Sequence, residues 1–340
     1  MIEAAIRRVE AGSDLSLEEM AELIGAIMEG RCTEDEIGRL LVALHEKGET
    51  VAEVAGAAMA LRKHVTPIRT TRRGVLDTCG TGGDGSRTFN ISTAAALVAA
   101  AAGVPVAKHG NRGITSRSGS ADVLAALGVN IEADVPCVEA CLEDLGICFC
   151  FAPLLHKAMK HVAPVRRRLG VPTIFNVLGP LANPAGAPYQ LLGVGRDALR
   201  PLMSEALTLL GTERAVVVHG EDGLDEVTLS GPTRVTESAG GTLRHFVWHP
   251  ADFGLSPSPP DELRVEGPEQ SAAVIRSVLA GGKGPARDIV LANAAGALWT
   301  SGRGSSLESC ARLAAEAIDS GAACDLLARL VLRSQGVLEL

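Results

Sequence analysis

The 340-residue chain has no surplus of basic residues, no long uncharged apolar run and no CxxC pair of cysteines. Its formal net charge is -8, from 32 Lys and Arg against 40 Asp and Glu. A surface that gathers nucleic acid needs clustered cations, so no nucleic-acid partner is expected and any anion site has to be local. No stretch of about 18 uncharged apolar residues is present, so no membrane-spanning helix is expected. Acids stand among the apolar residues of the opening MIEAAIRRVEAGSDLSLEEM, unlike a secretory or transit leader, and the expected location is cytoplasmic. The eight cysteines include no CxxC, even in the closest group of Cys137, Cys141, Cys148 and Cys150. Reduced, mostly buried thiols are expected, not a zinc or redox centre.

What is present divides in two. Residues 1 to about 70 carry only helical periodicity, with apolar residues at three- and four-residue spacing over Leu17–Met28, Glu34–Lys47 and Val51–His64. Ser16 and Thr33 stand at N-cap positions, and Thr50 with Glu53 has the spacing of a capping box. From Gly74 the texture changes to short apolar runs, VLDTCG, VPVAKHG, RAVVVHG and DIVLANA, alternating with Ala- and Leu-rich helical stretches. That alternation implies βαβ units. The expected fold is α/β: a small all-helical N-terminal domain, residues 1–70, with part of 156–190 packed beside it, and a larger α/β domain, 71–340, with a mainly parallel central sheet.

Four segments carry chemistry. CGTGGDGSRTFNIST, residues 79–93, joins a strand-like run to a helical one, the arrangement in which backbone N–H groups and a helix N-terminus cradle phosphate. Gly80, Gly82 and Gly85 also satisfy the GxGxxG dinucleotide fingerprint. Against that reading, SRTFN delays the helix, and Lys108 stands near where an acid should hold a ribose hydroxyl. Asp84 inside the cradle repels a bare pyrophosphate but suits a metal-bound or ribose-bearing one. KHGNRGITSRSGSAD, residues 108–122, concentrates Lys108, Arg112 and Arg117 with amide and hydroxyl donors. Alone it could be a solvated basic turn; beside another donor-rich loop it reads as an anion site. In HGEDGLDEVTL, adjacent Asp225 and Glu226 offer hard oxygens suited to Mg²⁺, although such pairs on turns are usually only solvated. In HKAMKHVAPVRRRLG, one of Arg166, Arg167 and Arg168 could grip a carboxylate with two hydrogen bonds, with at least two of the three left as a solvated face.

Taken in order and spacing, GTGGD, NIST, KHGNR, SGSADVL, GPLANP and the Asp-Glu pair resemble the anthranilate phosphoribosyltransferases of tryptophan synthesis, over nearly the whole chain. GTGGD is shared with the related pyrimidine nucleoside phosphorylases, whereas KHGNR with SGSADVL and VRRRLGVPTIFNVLGPLANP is more specific. The resemblance implies transfer of the phosphoribosyl group of 5-phosphoribosyl-1-pyrophosphate (PRPP) to the amino group of anthranilate, the second step from chorismate. It implies that Gly80, Gly83, Asp84, Thr88, Asn90, Ile91, Ser92 and Thr93 surround PRPP. Lys108, His109, Gly110, Asn111, Arg112, Gly113, Ile114, Thr115, Ser116 and Ser120 would join them. Anthranilate would meet Gly80, Asn111, His156, Arg166 and Pro180. Ser92, Asp225 and Glu226 would hold Mg²⁺, two ions per subunit, and the helical domain would form a homodimer. Thr115 replaces a usual Ser and keeps its hydroxyl. Glu266 and Ser271 replace an expected Gly and Asn, in a segment expected to lie outside the site.

In such a reaction the hard event is C–O cleavage at the anomeric carbon, which donors and a metal ease by stabilising the departing pyrophosphate. An aromatic amine is already neutral and needs positioning more than deprotonation. No covalent nucleophile is required, and His109 is the one candidate proton acceptor, with a neutral structural histidine as the alternative. The competing functions are pyrimidine nucleoside phosphorolysis and a non-catalytic relative that binds nucleic acid. The first has no use for a carboxylate-reading Arg166, and the second should have gained basic surface.

Overall fold

The computed structural model describes residues 2–113 and 118–337, so Ile114, Thr115, Ser116 and Arg117 of the second donor-rich loop lie outside the described residues. Four helices come first: α1 (Ile2–Glu10), α2 (Leu17–Met28), α3 (Glu34–Lys47) and α4 (Val51–His64). The last three start on complete capping boxes, Ser16 with Glu19, Thr33 with Glu36 and Thr50 with Glu53. Each satisfies two otherwise orphaned donors, and an N-cap contributes about 1 kcal/mol. Glu53 does more than cap. Fully buried, it accepts the N–H groups of Leu15 (3.0 Å) and Thr50 (2.8 Å) and pairs with Lys47 (2.9 Å), fastening the start of α2 and the end of α3 to the start of α4.

The apolar stripes of these helices, Met20, Ile24 and Ile27 with Leu40, Leu41 and Leu44, form a core that does not end with them. Val162, Val165, Ile174, Phe175 and Leu178, from the 156–190 segment, belong to the same cluster, as do Leu192, Ala215 and Val217 from the sheet.

The first strand, β1 (Leu76–Gly80), leads to α5 (Ile91–Ala101), β2 (Val106–Gly110), α6 (Ser120–Leu127), α7 (Val135–Leu145) and β3 (Ile147–Phe151). Short pieces follow it: α8 (Ala152–Leu155), a 3-10 turn (Lys157–His161), α9 (Ala163–Leu169) and α10 (Phe175–Leu178). The chain then forms β4 (Tyr189–Gly193), α11 (Leu199–Leu209), β5 (Arg214–Gly220), β6 (Thr233–Ala239) and β7 (Thr242–Trp248). Helices α12 (Pro268–Leu279), α13 (Pro285–Thr300), α14 (Leu307–Asp319) and α15 (Ala322–Ser334) finish it.

The seven strands lie in the order β3-β2-β1-β4-β5-β6-β7. The first five are parallel, and β6 and β7 add an antiparallel hairpin at one edge. Pleating sends alternate residues to opposite faces. Leu191, Val216 and Val218 therefore enter the core under α5 and α13, while Leu192, Ala215 and Val217 enter the core shared with the helical segment. DIVLANA is not a strand: it lies in α13, of whose 16 residues 12 are buried. A helix buried on all sides carries the same uninterrupted apolar run as a buried strand, and periodicity alone does not separate them.

Chain order reverses between β1 and β4, since β2 and β3 continue on one side of β1 and β4 and β5 on the other. In a parallel sheet a crevice opens at the carboxyl ends of such strands, and both glycine-bearing loops leave from there.

Candidate active site

A cleft of about 370 Å³ lies at that point, lined by the loop after β1, the end of β2, the start of α6, Arg166 and the acids after β5. The loop after β1 is held open by the acids. Gly82 donates its N–H to Asp225 Oδ2 at 3.0 Å, and Ser92 donates its N–H to Glu226 Oε1 at 3.0 Å. Glycine is required at two places where these partners meet: a Cβ on Gly80 would stand 2.6 Å from Asp225 Oδ2, and one on Gly193 only 1.6 Å from the Asp225 carbonyl oxygen. Asn90 caps α5 by accepting the Thr93 N–H at 3.2 Å. Of the residues expected around the donor, Gly80, Gly83, Asp84, Thr88, Asn90, Ile91 and Ser92 line the cleft, whereas buried Thr93 supports the cap from behind. Asp225 and Glu226 are thus not solvated turn acids; they are half-buried anchors of the first loop.

Lys108 and His109 belong to β2, not to the loop after it. The buried Lys108 ammonium turns back to the Thr78 carbonyl (2.5 Å) and the Ser92 hydroxyl (3.1 Å), placing a positive charge under the helix start. Burial lowers its pKa. Burial and then the nearby Asp84 push the Asp225 carboxyl up to about 7. Burial and then Asp225 hold Glu226 well above its usual range. Without a cation the site thus favours protonated carboxyls, a cost that a bound cation removes, and hard oxygen donors so placed fit Mg²⁺. No three His, Cys, Asp or Glu side chains among the described residues form a metal cage by themselves. That also suits Mg²⁺, which keeps water and substrate phosphate among its ligands.

The second loop is tied at its base. Asp122 Oδ2 accepts the N–H groups of Gly113 (2.8 Å) and Gly119 (2.9 Å), bracketing the residues between. Lys108, His109, Gly110, Asn111, Arg112, Gly113 and Ser120 all line the cleft, while the expected positions Ile114, Thr115 and Ser116 are outside the described residues.

The opposite wall comes from α9, α10 and the GPL turn. Arg166 is half-buried and faces the cleft; Arg167 and Arg168 are exposed, and Arg168 pairs with Glu34 at 2.6 Å. His109 Nδ1 lies 3.1 Å from the Gly179 carbonyl oxygen, so that nitrogen is the donor, and His156 Nε2 approaches His109 Nε2 at 3.2 Å. Burial lowers both pKa values, to about 3 for His109, with His156 as second cause, and to about 4 for His156. Both rings are neutral at pH 7. His156 and Pro180 are buried behind the cleft surface and do not line it. The GPL turn itself is pinned by Gln190, which donates to the Pro180 carbonyl at 2.6 Å.

Two contributions escape the sequence reading. Ser271, expected to lie outside the site, is fully buried, and its hydroxyl accepts the Asn90 N–H at 2.9 Å. Phe175 and Asn176 line the cleft beside Arg166. The VPTIFN sequence that holds them follows directly on the arginine cluster, but nothing in its periodicity points inward.

Residues 3–65 match the family described as glycosyl transferase family, helical bundle domain, and residues 72–324 its a/b domain. An anthranilate phosphoribosyltransferase of Rhodopirellula baltica is 53% identical over 326 residues, covering 96% of this chain and 95% of the relative. The crystal structure of the Thermus thermophilus enzyme of that name superposes with a TM-score of 0.92 at 46% identity, covering 97% of this chain and 99% of its own. The Saccharomyces cerevisiae enzyme in complex with PRPP and Mg superposes with a TM-score of 0.90 at 29% identity, covering 98% of both chains.

Proposed function

The chain belongs to the anthranilate phosphoribosyltransferases of the glycosyl transferase family, and from that premise we propose how its residues divide the work. It is an enzyme that transfers the phosphoribosyl group of PRPP to the amino group of anthranilate, releasing pyrophosphate, in tryptophan synthesis. It uses magnesium. The observation that carries the assignment of roles is the bonding of Asp225 to the Gly82 N–H and of Glu226 to the Ser92 N–H, which joins an acid pair to a phosphate cradle.

The loop from Gly80 to Asn90 and the N-terminus of α5 hold the donor's phosphates with backbone N–H groups. His109 to Gly113 and Ser120 bound it from the other side, and the resemblance adds Ile114, Thr115 and Ser116, which lie outside the described residues. Ser92, Asp225 and Glu226 hold two ions per subunit, and bound Mg²⁺ neutralises charge on the pyrophosphate as it departs. Lys108 fixes the Ser92 hydroxyl and the Thr78 carbonyl, so the strand end and helix start stay in register while charge moves.

Arg166 takes the anthranilate carboxylate and Asn111 gives a second polar contact, with Gly80 beside the ring and buried His156 and Pro180 supporting that wall from behind. Neutral His109 and His156 supply no proton to the aromatic amine, whose lone pair stays available for in-line attack on the anomeric carbon. A homodimer forms through the helical domain, where Met59 of α4 is exposed beside a groove between α1, α2 and α4. The enzyme works in the cytoplasm as such a dimer.

Arg166→Ala tests the acceptor half. A charge-assisted hydrogen bond contributes roughly 1.5–3 kcal/mol, so the Michaelis constant for anthranilate should rise about 10- to 150-fold with that for PRPP nearly unchanged. Arg166→Lys should recover part of the loss, since an ammonium restores charge without the planar fork. A rise for PRPP alone would move Arg166 to the phosphate site.

A further inference from the structure

The side chain of Asn176 has its orientation decided by its neighbours. Its Oδ1 receives Arg166 Nη2 at 3.2 Å, the Thr173 N–H at 3.0 Å and the Thr173 hydroxyl at 3.4 Å. A guanidinium and a peptide N–H can only donate, so the amide oxygen, not its nitrogen, must face them. The NH₂ group is thereby turned away from Arg166, and no acceptor among the described residues takes its hydrogens. Asn176 is exposed on the wall of the cleft, while the ring of Phe175 lies 5.6 Å from the Arg166 guanidinium carbon and fixes that group from another side. A guanidinium with Nη2 already engaged thus stands next to an amide whose two donors take no acceptor among the described residues, and both residues line the cleft.

We propose that Asn176 is a direct substrate-binding residue, whose amide NH₂ donates to the acceptor's carboxylate while its oxygen locks Arg166 in the reading position. The inference rests on Arg166 as the carboxylate reader and deepens it: the site selects an aromatic acid by a charged donor and a neutral donor held in one fixed geometry. A carboxylate has two oxygens and about four acceptor directions, more than one arginine with an occupied nitrogen fills. The neutral donor adds no charge to attract the phosphates of PRPP, so it favours a carboxylate of the acceptor over a misplaced donor.

Two substitutions separate this role from a purely structural one. Asn176→Asp keeps an oxygen for Arg166 and Thr173 but replaces the donor with a negative oxygen; Asn176→Ala removes both. Direct binding makes Asn176→Asp the worse variant, with kcat/KM for anthranilate down about 100-fold or more against about 10-fold for Asn176→Ala. The Michaelis constant for PRPP should stay within about twofold, and thermal melts should show both variants folded. If Asn176 only positions Arg166, the order reverses, because aspartate preserves the lock; reversed or equal losses overturn the proposal. Arg166→Ala in the same series distinguishes the two readings. If it leaves anthranilate use unchanged, the reading of Arg166 itself fails; if it impairs anthranilate use while Asn176→Asp does not, only the role of Asn176 fails.

Discussion

Asp225→Asn separates the stability of the acid cluster from its use. Asp225 Oδ2 accepts the Gly82 N–H at 3.0 Å, and an asparagine oxygen can keep that bond while its NH₂ turns to Asp84. Burial and Asp84 push the Asp225 carboxyl up to about 7, whereas an unfolded aspartate titrates near 4. Between those values the folded protein binds more protons than the unfolded one, so stability falls as pH rises from about 4 to 7 and the loss is complete above that. About three pKa units at 1.36 kcal/mol each set a ceiling of about 4 kcal/mol, and solvent relaxation lowers the realistic gain to about 1–3 kcal/mol. In metal-free protein at pH 8, Asp225→Asn should therefore raise Tm by about 2–6 °C. At pH 5, where the wild-type carboxyl is already protonated, it should do little. At limiting Mg²⁺ the same variant should lose roughly 10- to 100-fold in kcat/KM, with part of the loss relieved by more Mg²⁺, because substrate phosphate remains a ligand. Thermal scans at the two pH values, with and without Mg²⁺, and rates across a Mg²⁺ titration read both effects. A fall in Tm at pH 8, or unchanged rates at limiting Mg²⁺, would refute the reasoning.

Ser271→Ala should leave the Asn90 N–H without its acceptor, costing about 1–2 kcal/mol in stability and raising the Michaelis constant for PRPP about 3- to 10-fold without altering that for anthranilate; denaturant unfolding and steady-state kinetics check both. His109 and His156, lowered by burial to about 3 and about 4, should show no imidazole titration by NMR between pH 5 and 8. Their buried neutral form contributes stability above about pH 6.5 that is lost as pH falls toward those values, so acid unfolding should steepen below about pH 5.

Much of the helical segment was legible because its punctuation is local. Ser16, Thr33 and Thr50 each meet a glutamate three residues on, and α2, α3 and α4 begin where those pairs place them. The sheet was less so. The run TRVTESAGGTLRHFVW carries the Gly240-Gly241 turn of the β6–β7 hairpin, a signal that expecting only βαβ units passes over. DIVLANA failed as a strand because burial on every side erases periodicity. At the site, residue types were readable and partnerships were not. The acids at 225 and 226 meet Gly82 and Ser92 only once β4 and β5 have been laid beside β1, across separations of 143 and 134 residues. The same holds for Ser271, whose bond to Asn90 spans 181 residues and turns an apparently peripheral substitution into part of the donor loop. The arginine cluster was narrowed to Arg166 by resemblance; α9 then turns that one residue to the cleft and leaves Arg167 and Arg168 in solvent.

The most direct test of the account follows anthranilate fluorescence in the purified full-length protein with PRPP and Mg²⁺. The account expects fluorescence to decay only when PRPP and Mg²⁺ are both present, to stop on chelation, and to slow about 10- to 150-fold in Arg166→Ala at anthranilate concentrations well below the wild type's Michaelis constant. Anthranilate left unconsumed by the wild type, together with phosphorolysis of thymidine or uridine by the same preparation, would contradict it.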